Sequence, residues 1–281
     1  MTERVQITTR NGVADVRLNR PDKMNALDDA MFVGLIDAGT QLKEDKGLRA
    51  VVLSGEGRCF CAGLDMASFG AMAGDRSQSA DAPDAQSGKE DRAARGLFSR
   101  TDSAANRAQY ASWVWQEIPV PVIAAVHGVA YGGGFQIAMG ADIRIVAPDA
   151  RMSVMEIKWG LVPDMAGTQT LRHLVRLDVA KELAFTGRVF SGSEAAELGL
   201  ATQVSETPLE AATEMAMEIA TKSPDAIRAN KRLFNDTRLL GLAEGFALEE
   251  RLQAGLIGKP NQVEAVKANL EKRQPEFKDP E

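Results

Sequence analysis

The sequence predicts an α/β fold built around one large core, and three observations carry that prediction. Asn11-Gly12 separates two short runs of alternating polarity, and apolar strand-like runs then alternate with helical periodicity. One of those runs also feeds through three consecutive glycines into an apolar helix. A chain of 281 residues has the length for one large core, or for a core with an appendage.

Taken in order, the strand pair Val5–Arg10 and Val13–Leu18 flanks Asn11-Gly12, residues that tolerate positive φ and so suit a two-residue hairpin turn. A helix is expected over 28–46. Met31, Leu35, Ile36 and Leu42 recur at helical spacing, Asp28 and Asp29 sit at its positive end, and Gly47 can stop it. Strands are expected over 48–54, 120–126 and 142–146, the second bounded by Pro119 and Gly128. Between 68 and 103, Gly, Ala, Ser, Asp and charge replace apolar periodicity, so burial cannot repay ordering and a mobile insertion or lid is expected. Beyond Gly199, helices are expected over 208–222, 224–235, 239–257 and 261–273. The chain therefore divides into a core over 1–205 and a C-terminal helical region over 206–281, a candidate oligomer contact.

A net charge of −6 supplies no global basic field, which argues against nucleic acid as a partner. The opening MTERVQITTR has no apolar signal-peptide core, and no stretch approaches a membrane span, so a cytoplasmic protein without membrane attachment is expected. Cys59 and Cys61 are too close for an ordinary disulfide and too few for a zinc site, so they are expected to be small packing residues and no metal is expected.

Gly132-Gly133-Gly134 fits neither a dinucleotide fingerprint nor a P-loop, because the last fingerprint glycine and the Gly-Lys-Ser/Thr sequence are both missing. Two readings of the triplet remain. Its bare backbone either offers helix N-terminal N–H groups to developing negative charge, or lets a helix and a strand approach closely. A second stretch, GRCFCAGLDM at 57–66, ends another strand in small residues and suits a turn that exposes N–H donors. An oxyanion hole needs two such donors.

Six stretches in fixed order then carry a family resemblance: NRPDKMNALD (19–28), FCAGLDM (60–66), HGVAYGGGFQIAMGADIRI (127–145), MEIKWGLVPDMAGTQTL (155–171), GRVFSGSEAAELGLATQV (187–204) and EAVKANLEKRQPEF (264–277). Together they resemble the enoyl-CoA hydratase/isomerase, or crotonase, superfamily over nearly the whole chain except 68–103. The resemblance implies a crotonase-like ββα superhelix whose C-terminal helices mediate trimers or dimers of trimers. It also implies an acyl-CoA thioester substrate, with coenzyme A part of the substrate and no separate cofactor. By the same resemblance, the backbone N–H groups of Leu64 and Gly133 form an oxyanion hole. The backbone of Lys23–Leu27, with Asn25 and Ala26 in it, and the turn Cys61, Ala62 and Gly63 would line the coenzyme A path, while Tyr131 and Gly132 border the acyl group. Lys23 can equally be a solvated turn lysine, and Tyr131 a core aromatic.

The family's hydratases use two glutamates. Here Glu156 occupies one of those positions and Gln136 replaces the other. An amide can hydrogen-bond but cannot act as a general base. Eight residues after Glu156 stands Asp164, where relatives resembling dienoyl-CoA isomerase carry a proton-transfer aspartate. Gly160 and Pro163 lie between the two and can fold the segment back, although Asp164 could instead cap a helix starting near Met165. That isomerase subgroup also carries an acid at the position of Gln136, so the match is incomplete. The resulting expectation is double-bond isomerisation through a thioester enolate, with Glu156, Asp164 and Gln136 at the reacting end. Hydration and non-catalytic coenzyme A binding are the alternatives. Asp65, His127 and His173 are expected to be structural, and no G-x-S-x-G elbow supports a serine hydrolase.

Overall fold

The computed structural model describes residues 3–66, 96 and 99–280. Its hairpin is the expected one: β1 (Val5–Arg10) and β2 (Val13–Leu18) pair antiparallel with Arg10 opposite Val13, and Asn11 and Gly12 take φ of 51° and 76°. Every other neighbour in the six-stranded sheet is parallel. β3 (Ala50–Gly55) pairs with β2, β4 (Val122–Val126) with β3, β6 (Ile143–Val146) with β4, and β9 (Gln203–Val204) with β6. A smaller sheet joins β5 (Val129–Tyr131), β7 (Arg151–Ser153) and β8 (Phe190–Ser191).

Parallel strands need cover on both faces, and the residue pattern supplies it. Val51, Leu53, Val122, Ala124 and Val126 belong to the main core with α1 (Asp29–Glu44), α2 (Arg107–Glu117) and α3 (Gly133–Gly140), which contribute Leu35, Trp115 and Phe135. Their alternates Ala50, Val52, Ile123 and Ala125 face α7 (Pro208–Ala220), whose Ala212 and Ala216 let the helix lie close. The sheet's second face is thus closed by the first helix of the 206–281 region.

Helix α1 starts as expected, with the Asp28 side chain accepting the Met31 N–H at 2.9 Å, but it stops at Glu44, ahead of Gly47. Asp45 is extended there, and its carboxylate accepts the Gly47 N–H at 2.8 Å, so an aspartate turn ends the helix first. The expected strand starts at 48 and 120 move to Ala50 and Val122. Pro121 has no N–H to give the ladder, which explains the second shift.

Between β6 and the C-terminal helices run α4 (Gly167–Leu174), α5 (Leu177–Thr186) and α6 (Gly192–Glu197). The chain closes with α8 (Pro224–Thr237), α9 (Leu242–Leu256) and α10 (Pro260–Glu271). Among the described residues, no helix is long and apolar enough to cross a membrane. Most of the 68–103 insertion lies outside the described residues.

Candidate active site

The loops after β3 and β4 meet at the sheet edge where their strands end. The Cys61 N–H donates to the Val129 carbonyl at 2.9 Å and the Tyr131 N–H donates to Cys61 at 3.1 Å, so the 57–66 loop is stitched to β5 by backbone alone. On its other side, the Leu27 N–H donates to Gly63 at 2.8 Å and the Asp65 N–H to Leu27 at 3.0 Å. In that parallel pairing the Leu64 N–H points away from Leu27. Gly133 is the first residue of α3, where no intrahelical acceptor exists for its N–H. A Cβ on Gly63 would stand 3.7 Å from the Gly133 nitrogen. The Leu64 turn and the α3 N-terminus are therefore neighbours.

Both readings of the glycine triplet have a physical basis here. A Cβ on Gly134 would lie 2.4 Å from the Cys61 carbonyl oxygen, and one on Gly133 would lie 2.7 Å from both Leu27 Cδ1 and Met165 Sδ. Backbone contact excludes a side chain at Gly134, whereas at Gly133 the ends of two side chains would have to shift. Gly132 differs: its φ of 50° favours glycine, and a Cβ there would face Glu156 Oε1 at 3.2 Å.

The expected coenzyme A path is assembled from the 21–27 and 61–65 segments, and sequence reasoning missed the residue that joins them. Arg20 Nη1 donates to Asp65 Oδ2 at 2.5 Å and to the Ala26 carbonyl at 3.0 Å, which gives Asp65 the structural role expected of it. Ala26 is buried, Ala62 is half-buried with its N–H on the Met24 carbonyl at 2.9 Å, and Lys23 is exposed on a short 3₁₀ turn. The Asn25 side chain is not available to a ligand. Its Nδ2 donates to the carbonyls of Glu56, Cys59 and Phe60, and its Oδ1 accepts the Arg20 N–H at 2.8 Å. Asn25 thus shapes the loop from inside, in keeping with a segment expected to line the path with its backbone. Cys59 and Cys61 are free and buried, as expected of packing residues, and burial pushes the Cys61 thiol up to about 12, which removes it as a nucleophile.

Opposite the two loops lies the segment 155–167. Glu156 sits in a 3₁₀ turn, Met155–Trp159, that ends on Gly160 at φ 69°, after which the Leu161 N–H folds back onto the Glu156 carbonyl at 3.1 Å. Gly160 therefore reverses the chain as its position implies. Glu156 is 8% exposed, and burial raises its carboxyl above the ordinary range, with the nearby Asp164 charge adding to the rise. Its Oε1 accepts from Gln136 Nε2 at 2.6 Å, whereas its Oε2 is buried without a partner. Gln136, 1% exposed on α3, also accepts the N–H groups of Met165 at 2.8 Å and Gly167 at 2.9 Å. Asp164 does not cap a helix: α4 begins at Gly167, and its N-cap Ala166 makes no side-chain cap bond. Desolvation raises the Asp164 carboxyl as well, although part of the residue remains exposed.

Asp164 borders a cavity of about 1010 Å³ between α2, α4 and α8, which Gln109, Trp113, Thr168 and Arg172 also line. His173 lies on that wall, exposed and against Arg172, and His127 is held by the Gly57 carbonyl at 2.9 Å. Tyr131 is half-buried on β5 beside the glycines. Among the described residues, no group of three or more His, Cys, Asp or Glu side chains could hold a metal ion.

Residues 8–280 match the family model described as enoyl-CoA hydratase/isomerase. The chain is 33% identical over 273 residues to the mouse enoyl-CoA hydratase domain-containing protein 2, mitochondrial, covering 95% of this chain and 84% of that relative. It is 31% identical over 278 residues to the peroxisomal Delta(3,5)-Delta(2,4)-dienoyl-CoA isomerase of Arabidopsis thaliana, covering 98% and 96%. The crystal structure of an enoyl-CoA hydratase from Bacillus anthracis superposes with a TM-score of 0.84 at 29% identity, over 98% of this chain and 99% of that one. The fold is accordingly that of the crotonases, and the chain belongs to the enoyl-CoA hydratase/isomerase family of enzymes.

Proposed function

We propose that the protein moves a double bond within an acyl-CoA thioester. The observation that carries this reading is the buried Glu156, with one unpartnered oxygen, within electrostatic reach of Asp164 and hydrogen-bonded to an amide where a second acid would stand. The N–H groups of Leu64 and Gly133 stabilise the thioester oxygen as it gains charge, a contribution worth about 3 kcal/mol per donor in well-studied hydrolases. One carboxylate takes a proton from a carbon acidified by conjugation to the thioester, and the electron pair moves onto the carbonyl oxygen. The other group, protonated, returns a proton to a carbon further along the chain as the electrons flow back. The double bond shifts and nothing is added. Burial raises both carboxyls, which makes each easier to protonate than a solvated acid.

The coenzyme A part of the substrate runs along the Lys23–Ala26 and Cys61–Gly63 segments, with Tyr131 and Gly132 beside the acyl group, and the enzyme uses no further cofactor. Phe234, Leu242 and Leu270 are 71%, 75% and 80% exposed on α8, α9 and α10, which supports burial of these helices in a homotrimer or a dimer of trimers. The protein works in the cytoplasm.

Incubation with a dienoyl-CoA and with a 2-enoyl-CoA in heavy-oxygen water, read by mass spectrometry, tests the reaction. Isomerisation gives a shifted double bond, solvent deuterium exchange and no oxygen label. Rapid uptake of the label from a 2-enoyl-CoA would instead make this a hydratase.

A further inference from the structure

We propose that Gln136 is a positioning residue that determines which oxygen of Glu156 exchanges protons and holds the Asp164 segment in register with it. The inference rests on Glu156 being a proton-transfer group, as in the reading above.

The direction of one amide sets the hydrogen bonding of the site. Gln136 Oε1 accepts two backbone N–H groups, from Met165 at 2.8 Å and Gly167 at 2.9 Å. A rotated amide would point its NH₂ at those two donors, so the orientation is fixed by chemistry. Nε2 must then face Glu156, and it donates to Oε1 at 2.6 Å. A proton on Glu156 Oε1 would oppose this N–H, whereas Oε2 has no partner. Oε2 is therefore the atom that gains and loses a proton. The same bond favours the charged form of a carboxyl that burial and the Asp164 charge both push toward neutrality.

The two backbone acceptor contacts do a second thing. Met165 directly follows Asp164, and Ala166 beyond it takes a φ of 64° before α4 starts. Gly167 has no space for a side chain, since a Cβ there would lie 2.6 Å from Gln136 Oε1. One side chain from α3 thus grips both the Glu156 carboxylate and the backbone next to Asp164. Glutamate has the same shape but the wrong chemistry. It could accept both N–H groups, yet its other oxygen would stand against Glu156 Oε1, and the two acids would have to share a proton.

Gln136→Glu is the informative variant because it keeps size and both backbone contacts. Two measurements are made on it and on the parent: infrared titration of the buried carboxyl without ligand, and deuterium incorporation from solvent into saturating acyl-CoA across pH. The expected result is a carboxyl that stays protonated at least about one pH unit higher than in the parent. With it, kcat for exchange falls tenfold or more at neutral pH, its acidic limb moves up by the same interval, and KM changes less than threefold. Gln136→Leu, where it folds, is expected to raise the Glu156 titration by loss of the hydrogen bond. An unchanged carboxyl titration in Gln136→Glu, or equal losses in kcat and KM-derived affinity with an unshifted profile, would overturn the proposal. A shifted titration in a protein whose parent form exchanges no deuterium would leave the positioning role standing and remove the isomerase reading instead.

Discussion

The two walls of the candidate site are built by different means. The wall carrying the Leu64 and Gly133 N–H groups is made of backbone, with strand-like bonds among Leu27, Cys61, Gly63, Val129 and Tyr131, and Gly134 of α3 pressed onto Cys61. The wall carrying Glu156 and Asp164 is made of turns, and the side chain of Gln136 ties it to α3. On the proposed reading, charge stabilisation rests on backbone contacts and proton transfer on the hydrogen-bond direction of one side chain, with α3 shared between them. A Cβ has little room on either wall, at Gly134 or at Gly167.

The largest effect that can test this contrast is on the proton-transfer wall. Glu156→Gln is expected to lower kcat by about 10²–10⁴-fold while acyl-CoA affinity, measured by calorimetry, changes little. Parallel losses of rate and affinity would mean that the two walls are not separable. Asp164→Asn follows, with a loss near the lower end of that range, about 10²-fold, because the residue is partly open to solvent. Turnover at the parent rate would show that Asp164 is not the second proton carrier.

On the backbone wall the effect is on stability. Gly134→Ala places a methyl group 2.4 Å from the Cys61 carbonyl oxygen and is expected to cost about 1–3 kcal/mol in urea denaturation. A variant as stable as the parent would mean that the wall can move aside and is less rigid than its bonding suggests.

The smallest effect concerns pH. Glu156 is raised by burial above its ordinary 4.5, so from that pH upward the unfolded chain ionises first while the folded protein keeps its proton. The folded form then binds more protons, and this group's contribution to stability declines as pH rises through the window between the two values. Glu156→Gln lacks that slope. Urea midpoints of variant and parent are expected to diverge in the variant's favour above pH 4.5, and parallel midpoints would contradict the assigned burial effect.

Much of this arrangement could be read before any coordinates. The Asn11-Gly12 turn and the alternation of strands with helices follow from local chemistry: positive-φ residues and apolar runs. Glu156 and Asp164 could be named from their motif, and Gly160 signalled the reversal between them. Arg20 could not be assigned, because a charge in a turn has the same local pattern whether it is solvated or bonded to Asp65, 45 positions away. The role of the Asn25 side chain could not be read for a related reason, since nothing local shows that its amide serves three carbonyls.

The sequence by itself determined the hairpin, the longer strands and the C-terminal helices, though not the short strands β5, β7, β8 and β9, together with the family and which atoms are available for chemistry, including the fact that position 136 carries no exchangeable acid. Only the tertiary structure decided which way the Gln136 amide points and therefore which Glu156 oxygen is free. The physical reason is that hydrogen-bond direction belongs to pairs of groups, here brought together from positions 136, 156, 165 and 167, and no single residue's identity contains it.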